Sequence, residues 1–208
     1  MRCVLIIILL PTLLLLGCQR FLIYHPRSYS TPPPAGVERL PAVGAPGQVS
    51  WWMPPRSGRA ERVWLCFGGN AMRARDWHPW LATAGDADAG YLLIEYPGYG
   101  DSSGWATPAA ILAATRAAVA ALAARLGEPE VALSARAGVL GHSLGCAAAL
   151  QYAAACRVRR AVLVSPFTTM LAMARRRVGW PLCHLLHHRF DNEWPSQNPA
   201  LRDSVHSQ

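Results

Sequence analysis

The sequence contains no lysine. Histidine apart, its basic side chains are 20 arginines set against 12 acidic residues, giving a formal charge of +8. Beyond the N-terminal segment the arginines are scattered from Arg20 to Arg202. The only dense runs are Arg157, Arg159, Arg160 and Arg175, Arg176, Arg177. No motif that reads bases accompanies them, so the charge is read as a solvated surface and no nucleic-acid partner is expected. Such a surface also favours anionic membranes. Charged residues are scarce, at 15% against 52% apolar, which excludes wholesale disorder and leaves enough apolar surface for a core. The length, 208 residues, points to one domain or little more. There is no internal repeat at a fixed period, and the cysteine spacing fits no zinc pattern.

The N-terminus also lacks a full membrane span. Val4 to Leu16 is thirteen residues, apolar apart from Thr12, where a transmembrane helix needs roughly twenty. That length suits the hydrophobic region of a signal peptide, with Arg2 as its basic start. Leu15-Leu16-Gly17-Cys18 then resembles the lipobox of bacterial lipoproteins. The resemblance implies a signal peptide over 1–17, cleavage before Cys18 and lipidation of its thiol and new amine. The alternative is an uncleaved anchor in which Cys18 is incidental. Gln19 stands where Asp usually marks inner-membrane retention, so the expectation is an envelope lipoprotein facing the periplasm. The lipidated chain retains Cys66, Cys146, Cys156 and Cys183, read as buried free thiols although an oxidising compartment permits disulfides.

Residues 18–48 carry Pro26, Pro32, Pro33, Pro34, Pro41 and Pro46 and read as an extended tether, interrupted by the apolar patch Phe21-Leu22-Ile23-Tyr24. After it, short apolar runs alternate with helical stretches. Strands are expected at Val49–Met53, Val63–Phe67, Tyr91–Glu95, Gly138–Gly141 and Ala161–Val164. The last four are almost continuously apolar, as strands buried on both faces should be. Pro108 to Leu126 reads as a helix, with Thr107 as N-cap and Gly127 as stop. A second helix is expected from Ser143 to about Cys156. This alternation implies a mostly parallel sheet with helices on both faces.

Three strand ends carry candidate chemistry. Gly141-His142-Ser143-Leu144-Gly145 is a G-x-S-x-G between a strand and a helix, the context in which the serine hydroxyl is lifted off the sheet on a strained turn. Ser143 is the candidate nucleophile, and the Leu144 N–H the first donor to a developing oxyanion. His142 is the variable residue of the motif and is expected to point elsewhere. Phe67-Gly68-Gly69-Asn70 follows the strongest strand; its glycines permit close backbone approach, and the Asn70 N–H is the second candidate donor. Tyr96-Pro97-Gly98-Tyr99-Gly100-Asp101-Ser102-Ser103-Gly104 follows the next strand.

With this third run the sequence resembles the α/β-hydrolase superfamily, and in particular its serine-aminopeptidase-like and BEM46-like branch. Ser165-Pro166-Phe167-Thr168-Thr169-Met170 and the stretch from Trp180-Pro181 to Arg189-Phe190-Asp191-Asn192 match the same branch. The resemblance covers about 49–192 and implies a serine hydrolase of an ester, thioester or amide. Its partner would be a small-molecule or lipid-like acyl substrate. No cofactor is expected. No metal is expected either: His184, His187 and His188 could share a helix face, but no carboxylate or cysteine completes the set. The eight tryptophans are read as packing.

In that superfamily the acid and the histidine of the triad follow the serine, each after a further strand. The tail 191–208 has no apolar strand-like run. It offers Asp191, Asp203 and His206 by residue type only, so the expectation is a partial domain over 49–190 lacking the last two strands. Without a positioned imidazole Ser143 is a poor nucleophile, and slow ester turnover is expected. A second possibility is an inactive remnant or binding protein. If Cys18 is the lipid acceptor, Cys18→Ser will abolish metabolic palmitate labelling and leave the precursor uncleaved; unchanged labelling would rule out the lipobox reading.

Overall fold

The computed structural model describes residues 19–21, 23–58, 60–167, 170–180, 182–185 and 190. The expected signal segment 1–17, Cys18, His187, His188, Asp191, Asp203 and His206 lie outside the described residues. Six strands form one sheet in the order β1-β2-β4-β3-β5-β6: β1 Glu38–Pro41, β2 Val49–Met53, β3 Arg62–Phe67, β4 Ala89–Ile94, β5 Ala137–His142 and β6 Ala161–Val164. β4, β3, β5 and β6 run parallel, whereas β1 and β2 pair antiparallel at one edge. All five expected strands are present, with bounds shifted by two residues or fewer.

The helices connecting the parallel strands divide between the two faces. α1 (His78–Ala84) follows a 3₁₀ turn at Ala74–Trp77 and joins β3 to β4. α2 (Pro108–Leu126) and α3 (Glu130–Arg136) lie between β4 and β5, α4 (Leu144–Cys156) between β5 and β6, and α5 (Met170–Val178) after β6. Side-chain alternation along the strands produces two cores. Trp52, Val63, Leu65, Phe67, Leu92 and Ile94 meet α2, α3 and α4 on one face. Trp51, Met53, Cys66, Tyr91 and Leu93 meet Trp77 and Leu81 on the other.

α2 begins and ends where its sequence signals place it. The Thr107 hydroxyl accepts the Ala110 N–H at 3.0 Å, Pro108 opens the first turn, and Gly127 closes the helix at φ +69°. By length and composition α2 is apolar enough to cross a membrane. Its Ile111, Thr115, Ala118 and Leu122 are instead buried, with the three apolar ones in the first core. The many alanines of α2 and α4 let both helices lie close to the sheet.

The tether expectation is corrected at the N-terminal side. This segment is fastened to the domain: Tyr24 is in the first core, and Glu38–Pro41 extends the sheet as β1. Glu38 also pairs with Arg125 of α2 at 3.1 Å. The prolines mark exposed edges rather than free chain, because an edge strand does not need every N–H, and Pro41 ends β1 there.

Gly90 gives the packing a sharp test. A Cβ on it would stand 2.0 Å from Cη2 of the buried Trp52. Gly90→Ala should therefore destabilise the fold by about 1–3 kcal/mol through overpacking. Combined with Trp52→Leu, its cost should fall well below the sum of the two single changes in denaturant titrations; strict additivity would mean that the two sites do not touch.

Candidate active site

β5 ends at His142 and α4 begins at Leu144, so Ser143 alone makes the turn. It is the N-cap of α4, just outside the helix, with φ +50° and ψ −115°, a conformation that L-residues rarely adopt. Both of its backbone polar groups are fixed: its N–H donates to Val164 O at 2.9 Å, and its C=O accepts the Cys146 N–H at 3.0 Å. Among the described residues its hydroxyl has no hydrogen-bond partner, and the residue is partly exposed.

The two glycines of the motif are sterically required. A Cβ on Gly141 would lie 2.7 Å from both the Cys146 Cα and the Gly145 carbonyl oxygen. One on Gly145 would lie 2.1 Å from the Phe67 carbonyl oxygen and 2.7 Å from that of Gly68. Beneath the turn, the Cys146 Sγ contacts the carbonyls of Gly141 and Val164 at 3.3 Å each. Burial pushes this thiol up to about 11, so it packs as a neutral group.

The contact at Gly145 brings the end of β3 against the turn, so the structure places the 68–70 loop beside Leu144. Three interactions fix this loop. The Tyr96 hydroxyl donates to the Gly68 carbonyl at 2.7 Å. Asn70 Oδ1 accepts the Ala71 N–H and the His25 N–H at 3.0 Å each, and the Tyr99 hydroxyl at 3.2 Å. With the Asn70 side chain held in this way, its backbone N–H makes no hydrogen bond among the described residues. His142 turns its ring under the same loop, where a Cβ on Gly69 would be 2.7 Å from Nδ1. That nitrogen is buried without a partner among the described residues.

Two features of the site went unread in the sequence. The first is a strap formed by residues 19–31, which crosses the carboxyl ends of the parallel strands. Besides the His25–Asn70 bond, the Arg27 carbonyl accepts the Gly100 N–H at 2.9 Å, and the Ser28 carbonyl accepts Arg73 Nη1 at 3.0 Å. The second is Glu95, read only as the end of a strand. Its carboxyl group is buried just past β4 and receives the Tyr29 hydroxyl, the Ala74 N–H at 2.9 Å and the Trp51 indole N–H at 3.3 Å. A lone acid closing an apolar run, directly before Tyr96-Pro97-Gly98, was the available signal.

His184 lies exposed on the 3₁₀ turn Leu182–Leu185. Among the described residues no group of three His, Cys, Asp or Glu side chains is arranged to hold a metal ion. Cys66, Cys146, Cys156 and Cys183 are free thiols, and all but Cys156 are buried.

A family model described as "Alpha/beta hydrolase family" matches residues 64–207. Comparison with curated proteins finds no match. Among solved structures, an alpha-beta hydrolase from Vibrio vulnificus superposes with a TM-score of 0.58 at 14% identity, over 76% of this chain and 58% of its own. An esterase from Pyrococcus furiosus gives 0.55 at 17% identity, over 75% of this chain and 60% of its own. The chain thus spans less than two thirds of either neighbour's length. At these identities the likeness is one of fold.

Burial raises the Glu95 carboxyl from its usual 4.5 to about 7, against the pull of its three donors. A folded-state pKa above the unfolded one contributes stability below pH ~4.5 that is lost as pH rises through ~7, about 3 kcal/mol in all. Glu95→Gln removes this dependence. Its stability relative to the parent should therefore increase by that order between pH 4.5 and 8 in denaturant titrations. A difference that stays flat across this range would mean that Glu95 is ionised throughout.

Proposed function

Because this chain belongs to the alpha/beta hydrolase family, we propose that it is an envelope-anchored serine hydrolase that cleaves an ester, thioester or amide through an acyl-enzyme on Ser143. The carrying observation is Ser143 at φ +50° on the turn between β5 and α4, wedged by two glycines with no room for a side chain. Backbone strain of this kind is found stored at reactive sites.

The chemistry follows from the geometry. The Ser143 Oγ adds to the substrate carbonyl carbon while an imidazole takes its proton. Negative charge gathers on the carbonyl oxygen, where the N–H groups of Leu144 and Asn70 donate to it; a pair of fixed donors is worth several kcal/mol in a water-poor site. The bond to the leaving group breaks, and the leaving atom receives the proton. Water then repeats the addition on the acyl-enzyme and restores the Ser143 hydroxyl. The Tyr96–Gly104 and Ser165–Met170 motifs favour the serine-aminopeptidase-like and BEM46-like branch. The esterase from Pyrococcus furiosus, similar in fold, favours an ester among the three substrate classes.

A second reading, an inactive remnant or binding protein, is favoured by one observation: among the described residues no imidazole is hydrogen-bonded to the Ser143 hydroxyl. A fluorophosphonate probe on the purified full chain separates the two. Covalent labelling should reach one probe per chain. It should vanish in Ser143→Ala and fall at least tenfold in Gly145→Ala, whose new methyl collides with the Phe67 carbonyl. A folded, monodisperse chain that takes no label would establish the second reading.

A further inference from the structure

We infer that the carboxyl edge of the sheet rests directly on a lipid bilayer, with Phe21 and Trp105 in its interfacial layer, so that Ser143 draws an acyl-bearing lipid from the membrane. The substrate half of this inference rests on the hydrolase reading of Ser143; the docking half rests on the N-terminal membrane anchor of that proposal and not on the chemistry.

The attachment point comes first. The apolar run Val4–Leu16 ends two residues before Cys18. Whether Cys18 is lipidated or the run stays uncleaved as an anchor, the membrane lies at about residue 18. The chain has no slack beyond that point. Gln19 is buried, and its side-chain amide donates to the Leu185 carbonyl. Tyr24 is in the core, and the His25 N–H donates to both Asn70 Oδ1 and the Tyr99 hydroxyl at 3.0 Å. Gln19 to Phe21 are helical, so the distance from residue 19 to the Asn70 loop is of order 10–20 Å. A membrane held at residue 18 is therefore held against the carboxyl edge of the sheet.

The surface at that point has interfacial chemistry. Phe21 is 52% exposed and Trp105 58% exposed, and their rings meet edge to face at 6.2 Å. The Arg20 guanidinium sits over both, 4.7 Å from the Phe21 centroid and 4.3 Å from that of Trp105. Trp105 belongs to the loop after β4, the loop that also carries Tyr99 and Gly100. Two large aromatic rings left to water beside an arginine gain nothing from the core. In the headgroup layer the rings lie at an apolar boundary while the guanidinium reaches phosphate. The charge agrees: Arg27 on the strap and Arg175 and Arg176 on α5, which follows β6 at the same edge, are exposed. Each basic residue near an anionic surface contributes roughly 1 kcal/mol of attraction.

Orientation then selects the substrate. The strap that leads from the membrane is bonded to the loop carrying Asn70, and that loop touches the turn carrying Ser143. The site thus opens within reach of the bilayer, where ester-linked acyl chains are concentrated and water-soluble esters are not.

The test uses the full chain reconstituted into phosphatidylcholine–phosphatidylglycerol vesicles containing phosphatidylcholine brominated on its acyl chains. Bromine quenches nearby indoles. Most of the quenched tryptophan emission should disappear in Trp105→Phe and survive in Trp80→Phe, whose ring is exposed on α1 beside Trp77. Equal quenching in the parent and Trp105→Phe overturns the docking surface, as does protection of Trp105 only when a second protein is present. For the substrate half, a long-chain alkyl fluorophosphonate in the bilayer is compared with a short soluble one. In Phe21→Ser/Trp105→Ser, labelling of Ser143 by the bilayer probe should drop at least tenfold and labelling by the soluble probe should stay within twofold. An unchanged ratio overturns substrate delivery from the membrane. Quenching at Trp105 with neither probe reacting refutes the hydrolase reading and leaves the membrane surface standing.

Discussion

The packing of Gly145 against the Phe67 carbonyl governs the geometry of the site. With no side chain at 145, the first turn of α4 seats directly on the end of β3, at a separation that a single methyl would forbid. That seat brings the Leu144 N–H beside the Gly68–Asn70 loop and leaves Ser143 only one way to pass, through φ +50°. Strain of this kind costs about 1–3 kcal/mol. It is offset by what α4 gains on the sheet, where Leu144, Ala147, Ala148, Ala149, Tyr152 and Ala153 are all in the first core. The strained turn exists because the helix after it is so well buried.

The same logic extends along the sheet edge. Of the four non-glycine residues with positive φ among the described residues, Ala71, Ser143 and Ser165 all lie just beyond a parallel strand, after β3, β5 and β6. The fourth, Arg157, closes the far end of α4. After β4 the corresponding place holds Glu95, a buried carboxyl group instead of a strained backbone. Parallel strands point all of these loops the same way, so local costs borne at separate strand ends collect on one surface. The strap is fastened to this surface through Asn70, Glu95 and Gly100.

What could be read from the sequence depended on whether the signal was local. The five expected strands, the bounds of α2 and its two caps follow from apolar runs, Thr107, Pro108 and Gly127, each acting within a few residues. The G-x-S-x-G turn was legible for the same reason. β1 was missed because its partner is β2 and its apolar content is one buried side chain, Leu40, beside a proline. The strap was missed because its bonds run from 25 to 70 and from 29 to 95, separations that no periodicity encodes. Proline richness was taken as lack of contact, when it marks backbone that needs few N–H partners. His142 had only its motif position to go by, and that does not disclose the unpartnered nitrogen beneath Gly69.

The missing lysine acquires a structural meaning around Glu95. Tyr29 accepts the Arg75 N–H at 2.9 Å and donates to the Glu95 carboxyl group. The Arg75 guanidinium carbon lies 3.5 Å from the Tyr29 centroid and 4.7 Å from that of Trp51, with that of Arg73 4.9 Å from the Tyr29 centroid. Of the guanidinium nitrogens of Arg75, Nη2 donates to the Thr31 carbonyl at 2.9 Å, and Nε and Nη1 are buried without an acceptor among the described residues. A lysine ammonium there would be a strongly hydrated point charge stripped of water. A guanidinium is weakly hydrated and planar, and two aromatic faces cover it at much lower cost. Arg20 lies over Phe21 and Trp105 at the other end of the strap, where both rings are largely exposed. The stacked Arg75 therefore secures the strap where Tyr29 meets Glu95, beyond the His25 N–H that bonds Asn70. An Arg75→Lys exchange would keep the charge and lose both ring contacts, so it would loosen the strap at that end.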